Sequence, residues 1–158
     1  MCIAKCLFAA AFSGHYKKND WQSWADERIL KNNKVEDWIY NVSLANSIDR
    51  LSEALSDKLI DEEHKNPSAD LFSDAVIGYF YMEYLSEEIG LYELLNKSGA
   101  EADGGEATLE CEEFYSILNE IDRKDKDPDN KEFLKSIKLM YEPFLNVAQC
   151  QLKKIKEY

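Results

Sequence analysis

The densest apolar pattern at helical spacing lies in the middle of the chain, between residues 69 and 96. Three rows of apolar side chains recur there every three or four positions, and together they cover most of the circumference of a helix. A helix of this kind is buried nearly all round, so other helices must pack around it. The pattern predicts a central apolar helix over residues 69–96, with Ser68 as its N-cap after Pro67 and a kink or break near Gly90.

Amphipathic patterns on both sides of this segment predict further helices. They cover residues 1–14, 15–34 with Asp20 as the cap, 35–65, 108–121 opened by Thr108, and 131–158 with a break or kink at Pro143. Residues 100–107 are the most loop-like stretch. The chain has only 6 glycines and 3 prolines, and no segment alternates cleanly with period two. The sequence therefore predicts an all-α fold with a single domain over residues 1–158, a bundle of six to eight helices.

The negative charge is concentrated in one part of the chain. The formal net charge is −12, and residues 83–122 contain twelve acids and one lysine, so this segment carries −11 of it. A local excess of this kind attracts cationic partners and repels nucleic acid. The plainer interpretation is a solvated face that keeps the protein soluble.

Nine carboxylates of this segment are the candidate residues for binding a partner. They are Glu83, Glu87, Glu88, Glu101, Asp103, Glu106, Glu110, Glu112 and Glu113. By helical spacing, Glu106, Glu110 and Glu113 are expected on one side of a helix, and the first three of the set on another. Such arrays approximate a row of phosphates. They are typical of immunity-type inhibitors and protein mimics of DNA, which bind a basic toxin, effector or DNA-binding protein.

Two alternative functions stay open at this point. The first is a structural or adaptor module that binds through an apolar groove near Trp21 and Trp24, although paired tryptophans are more often core residues. The second is a degenerate EF-hand-like calcium binder. Residues 107–114 resemble the second half of a calcium loop and residues 125–130 the first half, but neither supplies a full set of oxygen ligands.

Residue types argue against catalysis, cofactors and metals. The chain has two histidines and lacks a G-x-S-x-G motif, a glycine-rich phosphate loop and paired Glu-x-x-His motifs. We therefore expect a protein that is not an enzyme, needs no cofactor and binds no metal. No apolar run reaches the ~18 residues of a membrane span. Four cysteines without a C-x-x-C pair suit a reducing cytosol, and residues 1–14 are expected to be a first helix rather than a signal peptide.

Overall fold

In a computed structural model of the protein, residues 2–65 and 71–158 are described, apart from the side chains of Glu63 and Lys65. These residues form eight α-helices and no β-strand. The helices are α1 (Ile3–Phe12), α2 (Lys18–Lys31), α3 (Asp37–Leu44), α4 (Ile48–Lys65), α5 (Phe72–Leu85), α6 (Leu91–Gly104), α7 (Cys111–Asp122) and α8 (Lys131–Glu157). The fold is an all-α helical bundle, as predicted.

The helices group into two compact units. The first unit is drawn from Met1–Ala69 together with Lys154–Tyr158, and the second from Asp70–Lys153. Helices α1 to α4 therefore belong to the first unit, and α5 to α7 with most of α8 belong to the second. The organisation of residues 1–158 as one domain stays a prediction.

The first unit is built on small residues of α1 and large residues of its neighbours. Ala4, Ala9 and Ala10 are fully buried, and such small side chains let helix backbones approach closely. Helix α1 packs on α2 and α4, while α3 packs on α2 and α4. The helix ends before Gly14, which adopts the left-handed conformation at φ 87° that favours glycine at a helix terminus. The predicted first helix is therefore present.

The second unit is organised around α5, which is buried nearly all round as its three apolar rows predict. Every residue from Ser73 to Tyr81 is buried. The ring of Tyr81 stacks on that of Tyr141 with a centroid distance of 4.8 Å. Gly78 lies against the backbone of α8: a Cβ placed there would be 2.1 Å from the carbonyl oxygen of Phe144. Only a residue without a side chain permits this close approach of the two helices.

The central helix breaks near Gly90, as predicted, but it does not stop at Ser98 and Gly99 as expected. It is two helices, because α5 ends at Leu85, Glu87 adopts a left-handed conformation at φ 62° and Gly90 becomes the N-cap of α6. Helix α6 also runs beyond the expected stop at Ser98 and Gly99 into residues assigned to a loop. Both residues are fully or nearly buried. They are small because other helices pack on them, and not because the helix ends there. The predicted cap at Ser68 lies outside the described residues.

Two other predicted boundaries were wrong, and of the break or kink predicted at Pro143 only the break is tested, and it is absent. Residues 35–65 form two helices, and the break leaves the carbonyl of Ala45 to accept a hydrogen bond from the Trp21 indole at 3.0 Å. Helix α2 begins one turn earlier than expected, with Lys17 at the N-cap and the Asp20 carboxylate accepting from its N–H at 2.7 Å. Helix α8 continues through Pro143 without interruption.

Candidate functional site

Helices α6 and α7, which carry four of the nine candidate carboxylates, form a closely packed antiparallel pair. A Cβ at Gly99 would lie 2.7 Å from the ring of Tyr115. Toward the other end of α6, the Cys111 sulfur lies 3.7 Å from a carboxylate oxygen of Asp103. The two helices therefore run in opposite directions. Acids at the C-terminal end of α6 lie near acids at the N-terminal end of α7.

The loop between α6 and α7 is fixed to the start of α5. The buried carboxylate of Asp74 accepts from the Thr108 N–H at 2.7 Å and also from the Thr108 hydroxyl. The Ser73 hydroxyl donates to Glu101 at 2.7 Å. These bonds explain why α7 begins at Cys111 and not at Thr108, whose side chain and N–H are already engaged. The α6–α7 pair therefore has a fixed geometry on the core helix.

Nine carboxylates of residues 86–122 are exposed and form no ion pair with another described residue. We call them the α6–α7 carboxylates. They are Glu87, Glu88, Glu93, Asp103, Glu106, Glu110, Glu112, Glu113 and Asp122. Seven of them belong to the predicted partner-binding set, and Glu93 and Asp122 join it because the structure exposes them.

Two members of the predicted set lie elsewhere. Glu83 is buried on α5, with its side chain 10% exposed, and its carboxylate accepts from the Lys97 ammonium at 2.8 Å. The position of Glu83 in the sequence pattern resembles that of an exposed acid. In the structure Glu83 forms a buried ion pair with Lys97 and is not part of the accessible acidic surface. Glu101 is half-buried, and burial raises the pKa of its carboxyl although the Ser73 hydroxyl bond opposes this. Neither residue belongs to the α6–α7 carboxylates.

The prediction that Glu106, Glu110 and Glu113 share one side of a helix was also wrong. Glu106 and Glu110 precede α7, and Glu113 lies in its first turn. Glu110, Glu112 and Glu113 instead surround the helix N-terminus, where negative charge is stabilised by the free N–H groups. Hydrogen bonds from its own N–H and from the Cys111 thiol lower the pKa of Glu112. The hydrogen bond to Glu112 in turn raises the pKa of the Cys111 thiol to about 11.

The calcium half-site at residues 125–130 has another use in the structure. The side-chain oxygen of Asn130 accepts from the N–H groups of Glu132 and Phe133 at the start of α8. Asp127 accepts from the N–H of Asp129. Among the described residues, no group of three or more His, Cys, Asp or Glu side chains is placed to hold a metal ion.

The paired tryptophans are core residues. Trp21 and Trp24 are 5% and 6% exposed, and the indole N–H of Trp24 donates to the carbonyl of Ile155 at 2.8 Å. The edge of Trp24 borders a polar cleft that the sequence did not indicate. The cleft combines residues of α2 with residues near 158, and no local pattern could connect positions so far apart.

In the parts of the chain that are described, no helix combines the length and apolar character needed to cross a membrane. Comparisons with protein-family models, with curated proteins and with solved structures find no match to this chain.

Proposed function

We propose that this protein is a non-enzymatic binding protein that captures and neutralises a basic protein partner through the α6–α7 carboxylates. Fitting partners are a basic toxin or effector, or a DNA-binding protein whose phosphate-binding surface would be covered. The observation that supports this proposal most is the accumulation of nine exposed carboxylates on α6, α7 and the connections that precede them, none of which is ion-paired with another described residue. Charge of this kind speeds association with an oppositely charged surface.

Helix stability explains part of this charge but not all of it. Glu110, Glu112 and Glu113 stabilise the N-terminus of α7. Asp103 and Asp122, however, lie in the last turns of α6 and α7, where the partial charge of the free carbonyls is negative and disfavours a carboxylate. Acids in such positions lower helix stability slightly. A basic partner that compensates them accounts for their presence better than stability does.

A cytosolic location is part of the proposal. It is supported by the four cysteines, all of which lie in the described residues as free thiols. In a reducing compartment the Cys111 thiol beside the acidic groups would stay unmodified.

Two variants with equal charge test the proposal. The acidic-surface variant combines Asp103→Asn, Glu106→Gln and Asp122→Asn. The control variant combines three exposed acids from other helices. These control substitutions are Asp49→Asn, Asp57→Asn and Glu142→Gln. Each variant removes three negative charges from the net −12, so a difference between them reports position and not total charge.

The assay is capture of proteins from native lysate at salt concentrations of ~50 and ~300 mM, where screening differs strongly. We expect the wild type and the control variant to retain a basic protein at low salt and to lose much of it at high salt. The acidic-surface variant should lose it at both. Equal retention by the acidic-surface variant would contradict the proposal. A partner that ignores salt would favour the adaptor interpretation instead.

A further inference from the structure

The polar cleft of the first unit lies between α2 and the last residues of α8, away from the α6–α7 carboxylates in sequence. Its volume is about 500 Å³, which falls within the ~300–1,000 Å³ of small-molecule sites. The residues that matter for its chemistry are three aromatic side chains and three cations. They are Tyr16, Trp24 and Tyr158, and Arg28, Lys31 and Lys156.

Aromatic rings form one wall of the cleft. The rings of Trp24 and Tyr158 stack with a centroid distance of 6.0 Å and an interplanar angle of 23°. Tyr16 is a third aromatic lining residue. The faces of the Trp24 ring are already covered by Tyr158 and by the Arg28 guanidinium, and Trp24 is buried, so it stiffens the wall but offers no free face. Tyr158 is 48% exposed, and its ring supplies the accessible aromatic surface. A planar ligand fits such a surface, since offset stacking adds to the gain from burying its area.

The cleft is locally cationic although the protein is acidic. Its two lining carboxylates are engaged: Glu27 pairs with Lys31 at 3.2 Å, and Asp20 caps α2 by accepting from the Lys17 N–H. Arg28 and Lys156 form no ion pair with another residue in the described ranges. Because the hydrogen bond at Asp20 does not neutralise its charge, the three cations and two carboxylates of the lining leave a net charge of +1. Arg28 and Lys156 are the cations available to an external anion.

Arg28 is held in place by carbonyl groups and forms no ion pair with another described residue. Its guanidinium lies 4.3 Å from the centroid of the Trp24 ring and donates to the carbonyls of Trp24 at 3.0 Å and Ile155 at 2.7 Å. The buried Nε has no acceptor. Burial lowers the pKa of this group because its charge is removed from water. The two carbonyls fix the guanidinium but supply only partial negative charge, and an anion beside it would stabilise it further.

We infer that this cleft binds a small aromatic anion, a planar ring that carries a carboxylate or a phosphate. The ring lies on the exposed Tyr158 side chain, and the anionic group lies between Arg28 and Lys156. The site is independent of the proposed capture of a basic protein, because it uses another surface and the opposite charge.

Isothermal titration of the full chain at low salt tests this assignment. The probes are adenosine monophosphate and benzoate, with adenosine, benzyl alcohol and inorganic phosphate as controls. Lys156→Gln removes an exposed cation of the cleft, and Lys126→Gln removes an exposed lysine of the α7–α8 connection, so the two variants have equal net charge. We expect at least one aromatic anion to bind with Kd below about 1 mM. Lys156→Gln should weaken this binding about fivefold or more, and Lys126→Gln should leave it unchanged.

Three outcomes would overturn the inference. The first is no binding of either aromatic anion at ten times that concentration. The second is equal weakening by the two lysine variants, which would indicate nonspecific attraction. The third is equally tight binding of inorganic phosphate or of the uncharged compounds, because either would remove one of the two chemical features assigned to the ligand. Melting temperatures of both variants establish that the fold is intact.

Discussion

Replacement of Gly78 by alanine tests the packing that holds the second unit together. A Cβ at this position would lie 2.1 Å from the carbonyl oxygen and 2.7 Å from the carbonyl carbon of Phe144. Carbon and oxygen atoms in contact are normally ~3.3 Å or more apart, so α5 and α8 would have to separate by about 1 Å. The obstructing atoms belong to the backbone and cannot rotate away.

The expected loss of stability follows from two opposing effects. Overpacking of a well-packed core costs about 1–3 kcal/mol, and a backbone clash belongs at the upper end of this range. Alanine favours a helix over glycine by ~1 kcal/mol. The net loss for Gly78→Ala is therefore about 2 kcal/mol, which corresponds to a fall in Tm of about 6 °C for a chain of this size.

Urea unfolding followed by circular dichroism measures this loss. The matched control is Gly104→Ala at the end of α6, where an added Cβ meets nothing within 4 Å, so only the helix preference applies. We expect the control to gain up to ~0.5 kcal/mol. If Gly78→Ala proved as stable as Gly104→Ala, the close approach of α5 and α8 would be refuted, and with it the explanation of this glycine.

Three further predictions concern titratable groups near the acidic segment. Lys97→Met should lower the free energy of unfolding by about 2–3 kcal/mol, because it leaves Glu83 buried and unpaired. Adding Glu83→Gln should restore more than half of this loss. Glu101→Gln should raise the Tm at pH 7 more than at pH 4. Because the folded-state pKa of Glu101 is raised, the wild type loses stability as the pH rises through that pKa, and the glutamine variant does not. At pH 8, Cys111 should react with iodoacetamide about tenfold more slowly in the protein with Glu112 than in the Glu112→Gln variant. A pKa of about 11 lowers the thiolate fraction, and the higher nucleophilicity of a more basic thiolate compensates in part.

Each of these predictions has an outcome that contradicts it. A Lys97→Met protein as stable as the wild type would mean that Glu83 reaches water. A Glu101→Gln effect that is equal at both pH values would show that the carboxyl titrates normally. Labelling of Cys111 must be read in a Cys150→Ser background, since Cys150 is also exposed. An unchanged rate after Glu112→Gln would remove the hydrogen bond as the cause.

Much of the acidic site followed from composition, and the errors within it share one cause. The concentration of charge in residues 83–122 is a property of the sequence, and most of the chosen carboxylates are exposed. Glu83 was misplaced because helical spacing cannot tell a solvated acid from one that finds a lysine across a helix–helix contact. The apparent stop at Ser98 and Gly99 was misread in the same way. Small residues mark both helix ends and close helix packing, and only the position of Tyr115 distinguishes the two.

The helical class, the burial of α5 and the local excess of charge could all be predicted from the amino-acid sequence. These follow from short-range periodicity and composition, which need no knowledge of distant residues. The break between α3 and α4, the accessibility of each acid and the position of the cationic cleft could not be predicted in this way. Those features depend on contacts between residues far apart in the chain, such as Arg28 with Ile155 and Glu83 with Lys97. The free energy of such contacts is set by burial and geometry, which local sequence does not contain.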